Sequence, residues 1–335
     1  MISKKIAVIT GGAGFIGSHV ADILLRKNFE VRIIDNLSGG NIKNISKHLK
    51  NKKFIFKKKN ICSIKSNDKV FKNVKYIFHF AGKGDIVPSI ENPYEYFNTN
   101  VLGTIKILEA AKTNNIQKFI YAASSSCYGL AKTPTSEKNP IQTLYPYALS
   151  KYQGEQCVLH WGQVYNLPVI SIRIFNAYGP RVKTTGAYGA VFGVFFKQKL
   201  EKKPFTIVGN GNQKRDFLYV TDVAQAFIKL AESSRKGEIY NLGAGKPQTI
   251  NKLVKLLGDE YGKLFLPTRP GEPFCTWASI KKIKKHTKWR PKVDFKLGVN
   301  NMLKDINEWK DAPLWNVKSI NSATKNWFKF MKKKK

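Results

Sequence analysis

One stretch limits the folds open to this chain more than any other. The apolar run Ile6-Ala7-Val8-Ile9-Thr10 enters Gly11-Gly12-Ala13-Gly14-Phe15-Ile16-Gly17 and then a helical pattern. A strand that turns through three spaced glycines into a helix opens a βαβ unit. Gly11 permits the tight turn, Gly14 lets the backbone approach an anion, and Gly17 allows close packing of helix on strand. An anion seated there, over Phe15 and Ile16 of the first turn, meets the positive end of the helix dipole. A second strand ends at Asp35, followed by Asn36. A carboxylate there accepts hydrogen bonds from a ribose 2′-OH and repels a 2′-phosphate, so NAD is expected and not NADP.

The first half continues this alternation. Strands are predicted over residues 5–10, 30–35, 53–57, 76–80, 118–123 and 169–175, and helices over 17–27, 93–113 and 146–165. Right-handed crossovers between parallel strands then require a doubly wound α/β sheet of the Rossmann type with helices on both faces. After Asn176 the pattern loosens into glycine loops, including Gly186-Ala187-Tyr188-Gly189-Ala190, and proline-bearing segments. The predicted division is a cofactor-binding domain over 1–175, joined again by 217–242, a smaller substrate lobe over 176–312, and an extension over 313–335 ending in four lysines.

Composition sets the class. With 335 residues, 42% of them hydrophobic, the chain can bury a core of one large or two smaller domains. The 58 Lys plus Arg against 22 Asp plus Glu give a formal charge of +36. Only eight of the basic residues are arginine, the type favoured for base readout and bidentate phosphate contacts. The lysines read as a solvated surface that attracts anionic small molecules, not as a nucleic-acid face. No run approaches the roughly 18–20 apolar residues of a membrane span, and no signal-peptide core follows Met1. Cys62, Cys127, Cys157 and Cys275 are scattered without metal-ligand spacing. A reducing cytoplasm and no metal are the expectations.

The chemistry-bearing residues lie on the predicted sheet's carboxyl edge. Tyr147 and Lys151 are four apart on a predicted helix, hence on one face. A nearby ammonium lowers a tyrosine pKa, so Tyr147 is the candidate base. The strand ending at Ala123 delivers Ser124-Ser125-Ser126, and Ser124 can hydrogen-bond a substrate hydroxyl and relay its proton to Tyr147.

At this point the chain resembles the extended short-chain dehydrogenase/reductase family, specifically its nucleotide-sugar epimerases and dehydratases. The resemblance runs from about Ile6 to Gly298. It includes residues 11–17, Asp35-Asn36, His79-Phe80-Ala81-Gly82, residues 100–104, 124–129 and 147–151, Arg173-Ile174-Phe175-Asn176, Arg215-Asp216-Phe217 and Arg269-Pro270-Gly271-Glu272. It implies NAD contacts at Phe80, Ala81, Gly82, Asn100, Tyr147 and Lys151, and beside the adenine at Asn60-Ile61, where the family usually has Asp-Ile. It also implies that Asn176, Arg215 and Arg269 hold the substrate diphosphate, and that Lys83 and Ser89 border the sugar.

The family's 4,6-dehydratases carry Asp-Glu where this chain has Ser125-Ser126, and its glucuronate decarboxylases carry Glu at Ser126. The resemblance therefore implies 4-epimerisation of a UDP-sugar through a 4-keto intermediate. A glucuronate 4-epimerase, a C2 epimerase, a 4-keto reductase and a NAD-binding regulatory protein are the alternatives. Thr276, before Trp277-Ala278, stands where a bulky tyrosine restricts related epimerases to simple hexoses, so an acetamido group should fit and could bond its hydroxyl. A homodimer through the helices at 93–113 and 146–165 is implied as well. The tail, with Trp315, Trp327 and Phe328, is expected to pack as a helix in preference to lying on a membrane.

Overall fold

β-Branched residues stiffen the predicted strands, and the helical periods between them fold back to cover both faces. The computed structural model describes residues 5–185 and 191–331. The loop 186–190 and the terminal lysines 332–335 lie outside the described residues. In chain order the elements are β1 (Ile6–Thr10), α1 (Phe15–Arg26), β2 (Glu30–Asp35), β3 (Phe54–Lys58), β4 (Tyr76–His79), α2 (Pro93–Phe97), α3 (Gly103–Lys112), β5 (Lys118–Ser124), α4 (Pro146–Val164) and β6 (Val169–Ile174). There follow β7 (Asn176–Tyr178), α5 (Val191–Leu200), β8 (Phe205–Val208), β9 (Lys214–Arg215), β10 (Phe217–Tyr219), α6 (Val220–Ala231) and β11 (Glu238–Leu242). The last are β12 (Gln248–Thr249), α7 (Ile250–Leu257), β13 (Lys263–Leu266), α8 (Lys281–Thr287), α9 (Phe295–Lys304) and α10 (Val317–Met331).

Seven strands form one sheet in the order β11-β6-β5-β4-β1-β2-β3, all parallel. Side chains alternate across it. Ala7, Ile9, Val31 and Ile33 pack with α1 and α6 through Val20, Leu24 and Phe227. Ile6, Val8 and Ile34 face the other way, onto Ile107, Leu108 and Val158 of α3 and α4. This is the doubly wound sheet expected. β11, 69 residues beyond β6 by their first positions, closes the sheet edge by pairing Glu238 with Ile170 through Leu242 with Ile174.

The helix expected over 93–113 is not uniform. Between α2 and α3, residues 98–102 form a π-helical turn. Its cause is polar: buried Asn100 accepts from the Lys83 amide (2.8 Å) and donates to the Lys83 carbonyl (3.1 Å) and to Ser150 Oγ (3.0 Å). Widening one turn aims that amide at the end of β4, which regular helix period would not do.

A second apolar cluster lies off the sheet, built from α5, β8, β10, α7, α9 and α10. Its rings interlock, Tyr178 on Phe192 at 4.9 Å and Phe217 on Phe295 at 5.1 Å, both stacked. The tail packs as expected: Ile320, Thr324 and Trp327 of α10 are buried.

Glu155 of α4 and Arg173 of β6 form an ion pair at 2.5 Å, both almost fully buried. Ser171 Oγ donates to the same carboxylate at 2.7 Å, and Arg173 Nη1 donates to the Tyr128 hydroxyl at 2.7 Å. Glu155→Leu should therefore destabilise the fold by about 3–5 kcal/mol, because it strands a buried guanidinium. Urea unfolding is the measurement. The double variant Glu155→Leu/Arg173→Met should regain much of the loss, and a single variant costing nothing would remove the pair from its structural role.

Candidate active site

The strand order turns back between β1 and β4, so the loops leaving their carboxyl ends diverge into the crevice where open α/β sheets hold ligands. Gly11 sits in that crevice at φ +68°, and a Cβ on it would stand 2.6 Å from the Ala81 nitrogen. A Cβ on Gly17 would stand 2.4 Å from the Gly11 carbonyl oxygen. Gly14 caps α1 without a side-chain bond, leaving the amides of Phe15, Ile16 and Gly17 with no intrahelical acceptor. Those amides suit a diphosphate.

Asp35 is buried beneath this loop, accepting from the amides of Ala13 (3.0 Å) and Leu37 (2.7 Å). Burial raises its pKa and the two amides oppose that rise. Asn36 and Asn60 are exposed, and each carboxamide closes its own turn. Asn36 accepts from Ser38 N at 3.0 Å, and Asn60 from Cys62 N at 3.0 Å. Ile61 is buried against Gly103. Phe80 lies on Phe227 at 4.7 Å, the Ala81 amide donates to Thr10 Oγ1 at 3.3 Å, and Gly82 lies near Lys151 and Asn100. The glycine cradle, the strand-end carboxylate and Lys151 together fit NAD.

Ser124 ends β5, and its Oγ accepts from Ser126 N at 3.2 Å, closing the turn that carries Ser125 and Ser126. Pro146 opens α4, placing Tyr147 in the first turn, close enough to Ser124 for its hydroxyl to act on the phenol. The sequence reading has Lys151 lowering the Tyr147 pKa; the structure reverses this. Burial raises it above the ordinary phenol value, the Ser124 hydroxyl opposes, and Asp85 and Cys127 add to the rise. The reason is where the ammonium goes. Lys151 Nζ lies over the Tyr121 ring at 4.3 Å, and burial pulls its own pKa down to about 7, with Glu155 opposing. A half-charged lysine directed at another ring exerts little field on Tyr147.

Beyond Ser124 and Tyr147 a cavity opens, lined by Ser125, Ser126, Asn176, Arg215 and Thr276 among the residues expected. Ser124 and Tyr147 themselves, with Lys83, Ser89 and Arg269, fall outside its lining. The Lys83 ammonium pairs with Glu95, and buried Ser89 donates to the Ile86 carbonyl at 2.6 Å. Arg269 pairs with Glu272 at 3.1 Å, and Glu272 lies 3.7 Å from Arg215. A carboxylate thus stands between the two arginines expected on the diphosphate. The Thr276 hydroxyl is partly committed: it donates to Asn176 Oδ1 (2.7 Å) and accepts from Asp216 N (3.1 Å). It has no proton left for an acetamido carbonyl, but a free lone pair for an amide N–H.

Sequence reasoning missed Tyr145 and Trp327, which also line the cavity. Tyr145 had a signal: it precedes Pro146, which favours extended backbone, so residues 145 and 147 can present parallel rings (6.5 Å, 8°). Trp327 had none, being far along the chain from every other wall of the cavity.

A dinucleotide cradle at the switch point of a doubly wound sheet, with a Ser-Tyr-Lys set beside it, defines an NAD-binding α/β enzyme scaffold. The sequence pattern of the NAD dependent epimerase/dehydratase family matches residues 7–243. The chain is 31% identical over 327 residues to a UDP-glucuronate 4-epimerase of Thermodesulfobacterium geofontis, covering 93% of this chain and 98% of that one. It resembles a solved UDP-N-acetylglucosamine 4-epimerase of Methanobrevibacter ruminantium in complex with UDP-N-acetylmuramic acid: TM-score 0.83, 32% identity, 92% of this chain and 98% of the other. It also resembles the Bacillus cereus UDP-glucuronic acid 4-epimerase with UDP-glucuronic acid and NAD: TM-score 0.84, 30% identity, 90% and 99%. The chain belongs to the NAD dependent epimerase/dehydratase family. The enzyme class expected from its sequence, an NAD-dependent epimerase, holds, and so does the cofactor.

The burial of Lys151 has a measurable consequence. Its folded pKa of about 7 lies below the roughly 10.4 of an unfolded chain, so between these values the folded protein binds fewer protons. Its contribution to stability is present at high pH and lost as pH falls through about 7. Without added NAD, Lys151→Met should melt above the wild type at pH 6, with the advantage fading toward pH 10. A melting difference independent of pH would contradict the burial of an ionisable ammonium.

Proposed function

We propose that the protein interconverts C4 epimers of a UDP-sugar, UDP-GlcNAc with UDP-GalNAc and additionally or instead UDP-Glc with UDP-Gal. The observation that carries this is the approach of Ser124 to Tyr147 next to a cavity lined by Ser125 and Ser126. Tyr147 takes the proton of the sugar 4-OH, and Ser124 holds that hydroxyl and relays the proton. NAD, held by Gly11, Gly14, Gly17, Asp35 and Lys151, supplies a reversible hydride acceptor whose positive ring charge favours the phenolate form of Tyr147. Ser125 and Ser126 offer no carboxylate for elimination at C5 and C6, so the 4-keto sugar turns over and is reduced on its other face.

Asn176 and Arg215 hold the diphosphate, with Glu272 yielding to it. In this reading residues 1–175 and 217–242 bind the cofactor, 176–312 bind the nucleotide-sugar and 313–335 form a C-terminal extension. Two copies pair through α3 and α4, whose flanks expose Tyr94, Leu102, Val164 and Tyr165. Among the described residues no helix is long and apolar enough to cross a membrane. The four free cysteines support a cytoplasmic site of action.

Incubation with UDP-hexoses, UDP-N-acetylhexosamines and UDP-hexuronates without added NADH, followed by NMR, tests the reading. A C4-epimer mixture is the expected product. A requirement for NADH or a C2-epimer product overturns it. Tyr147→Phe should lower kcat by about 10² or more with NAD affinity retained, and near-normal turnover would remove Tyr147 from proton transfer.

The small side chain at Thr276 leaves room beside the sugar C2 substituent. Thr276→Tyr should abolish turnover of acetylated substrates and spare any on simple hexoses, because steric exclusion discriminates strongly. Equal loss of both activities would place Thr276 elsewhere.

A further inference from the structure

The C-terminal helix plays no part in the chemistry above, yet it reaches the substrate cavity. Trp327 of α10 is 2% exposed and lines that cavity with Tyr145, Ser126 and Thr276. Its indole stands 5.3 Å from the Tyr145 ring. Tyr145 in turn runs parallel to Tyr147 at 6.5 Å. The indole is thus two rings from the group assigned to take the sugar proton, which is the sugar end of the cavity.

Three contacts fix it there. Trp327 Nε1 donates to the Pro270 carbonyl at 2.9 Å, and Asn326 Nδ2 donates to Glu91 Oε1 at 3.0 Å. Met331 packs on Gly271, where a Cβ would come within 2.7 Å of the Met331 Cε. α10 is therefore tied to two of the turns near the cavity, the one around Ser89 and the one from Arg269 to Glu272. With its N–H satisfied by a carbonyl, the indole offers the cavity an apolar surface and no unmet donor.

We propose that Trp327 is a substrate-binding residue, its indole forming the wall on which the apolar C–H face of the hexose packs, so that the C-terminal helix is part of the sugar subsite. This rests on the nucleotide-sugar reading above. A wall of this kind contributes to binding of the sugar and nothing to binding of the nucleotide alone. It also disfavours a charged group on the face it covers, since an apolar surface cannot replace that group's water.

Calorimetric titration of the full chain with UDP and with UDP-GlcNAc separates the two contributions. Trp327→Leu should weaken UDP-GlcNAc about tenfold, leave UDP within twofold, and leave NAD affinity unchanged, while Trp327→Phe should restore most of the loss. Equal weakening of UDP and UDP-GlcNAc, or no change in either, overturns the proposal. Should the leucine variant fail to fold, hydrogen exchange on the wild type decides: UDP-GlcNAc should protect amides of residues 317–331 beyond the protection given by UDP, and identical protection refutes the contact. Failure of the parent reading looks different. A wild type that discriminates UDP-GlcNAc from UDP through Trp327 yet epimerises no UDP-sugar retains the subsite and loses the reaction.

Discussion

Glu155 and Arg173 meet at 2.5 Å inside the protein, and Glu155 shares a helix face with Tyr147 and Lys151 at four-residue intervals. The far end of that face is held to β6 by a charge pair, the near end enters the crevice beside Ser124, and Lys151 lies between. A pair buried this deeply gains little net stability over an apolar substitute. What it does is specify: helix α4 can sit on the sheet only where both charges are matched. The chain extends from the guanidinium through Tyr128 to Asn241 of β11 (2.7 and 2.8 Å), so the sheet edge and the serine turn are held by the same network.

Burial then sets the electrostatics of the site. Tyr147 and Asp35 are raised, Lys151 is drawn to about 7, and His79, clamped between Thr10 and Thr104, is drawn to about 3 with Lys151 contributing. Each shift disfavours the charged form, as expected where water is excluded. Shifts of this kind concentrate at functional sites, and here they surround the crevice between β1 and β4. The large positive surplus of the chain adds a long-range field that attracts anionic ligands to the protein.

Much of this was legible beforehand, because local chemistry wrote it. The glycine loop, the strand-end aspartate and the Tyr-x-x-x-Lys spacing each state a backbone requirement within a few residues. The π-helical turn at 98–102 was not legible, since it depends on Asn100 meeting Lys83 and Ser150, which only the fold brings together. The same holds for Arg269. Its motif was visible, but its ion pair with Glu272 and its place outside the cavity lining follow from how the 269–276 segment pairs alongside β9.

By itself, then, the sequence determined the parallel sheet and the cofactor cradle and singled out Ser124, Tyr147 and Lys151 as candidates, because side-chain period and glycine spacing are local properties. Only the tertiary structure decided the direction of the Tyr147 and Lys151 shifts, the commitment of the Thr276 proton and the arrival of Trp327 at the cavity wall. Burial and through-space contact govern those features, and neither is written in residues that are neighbours along the chain.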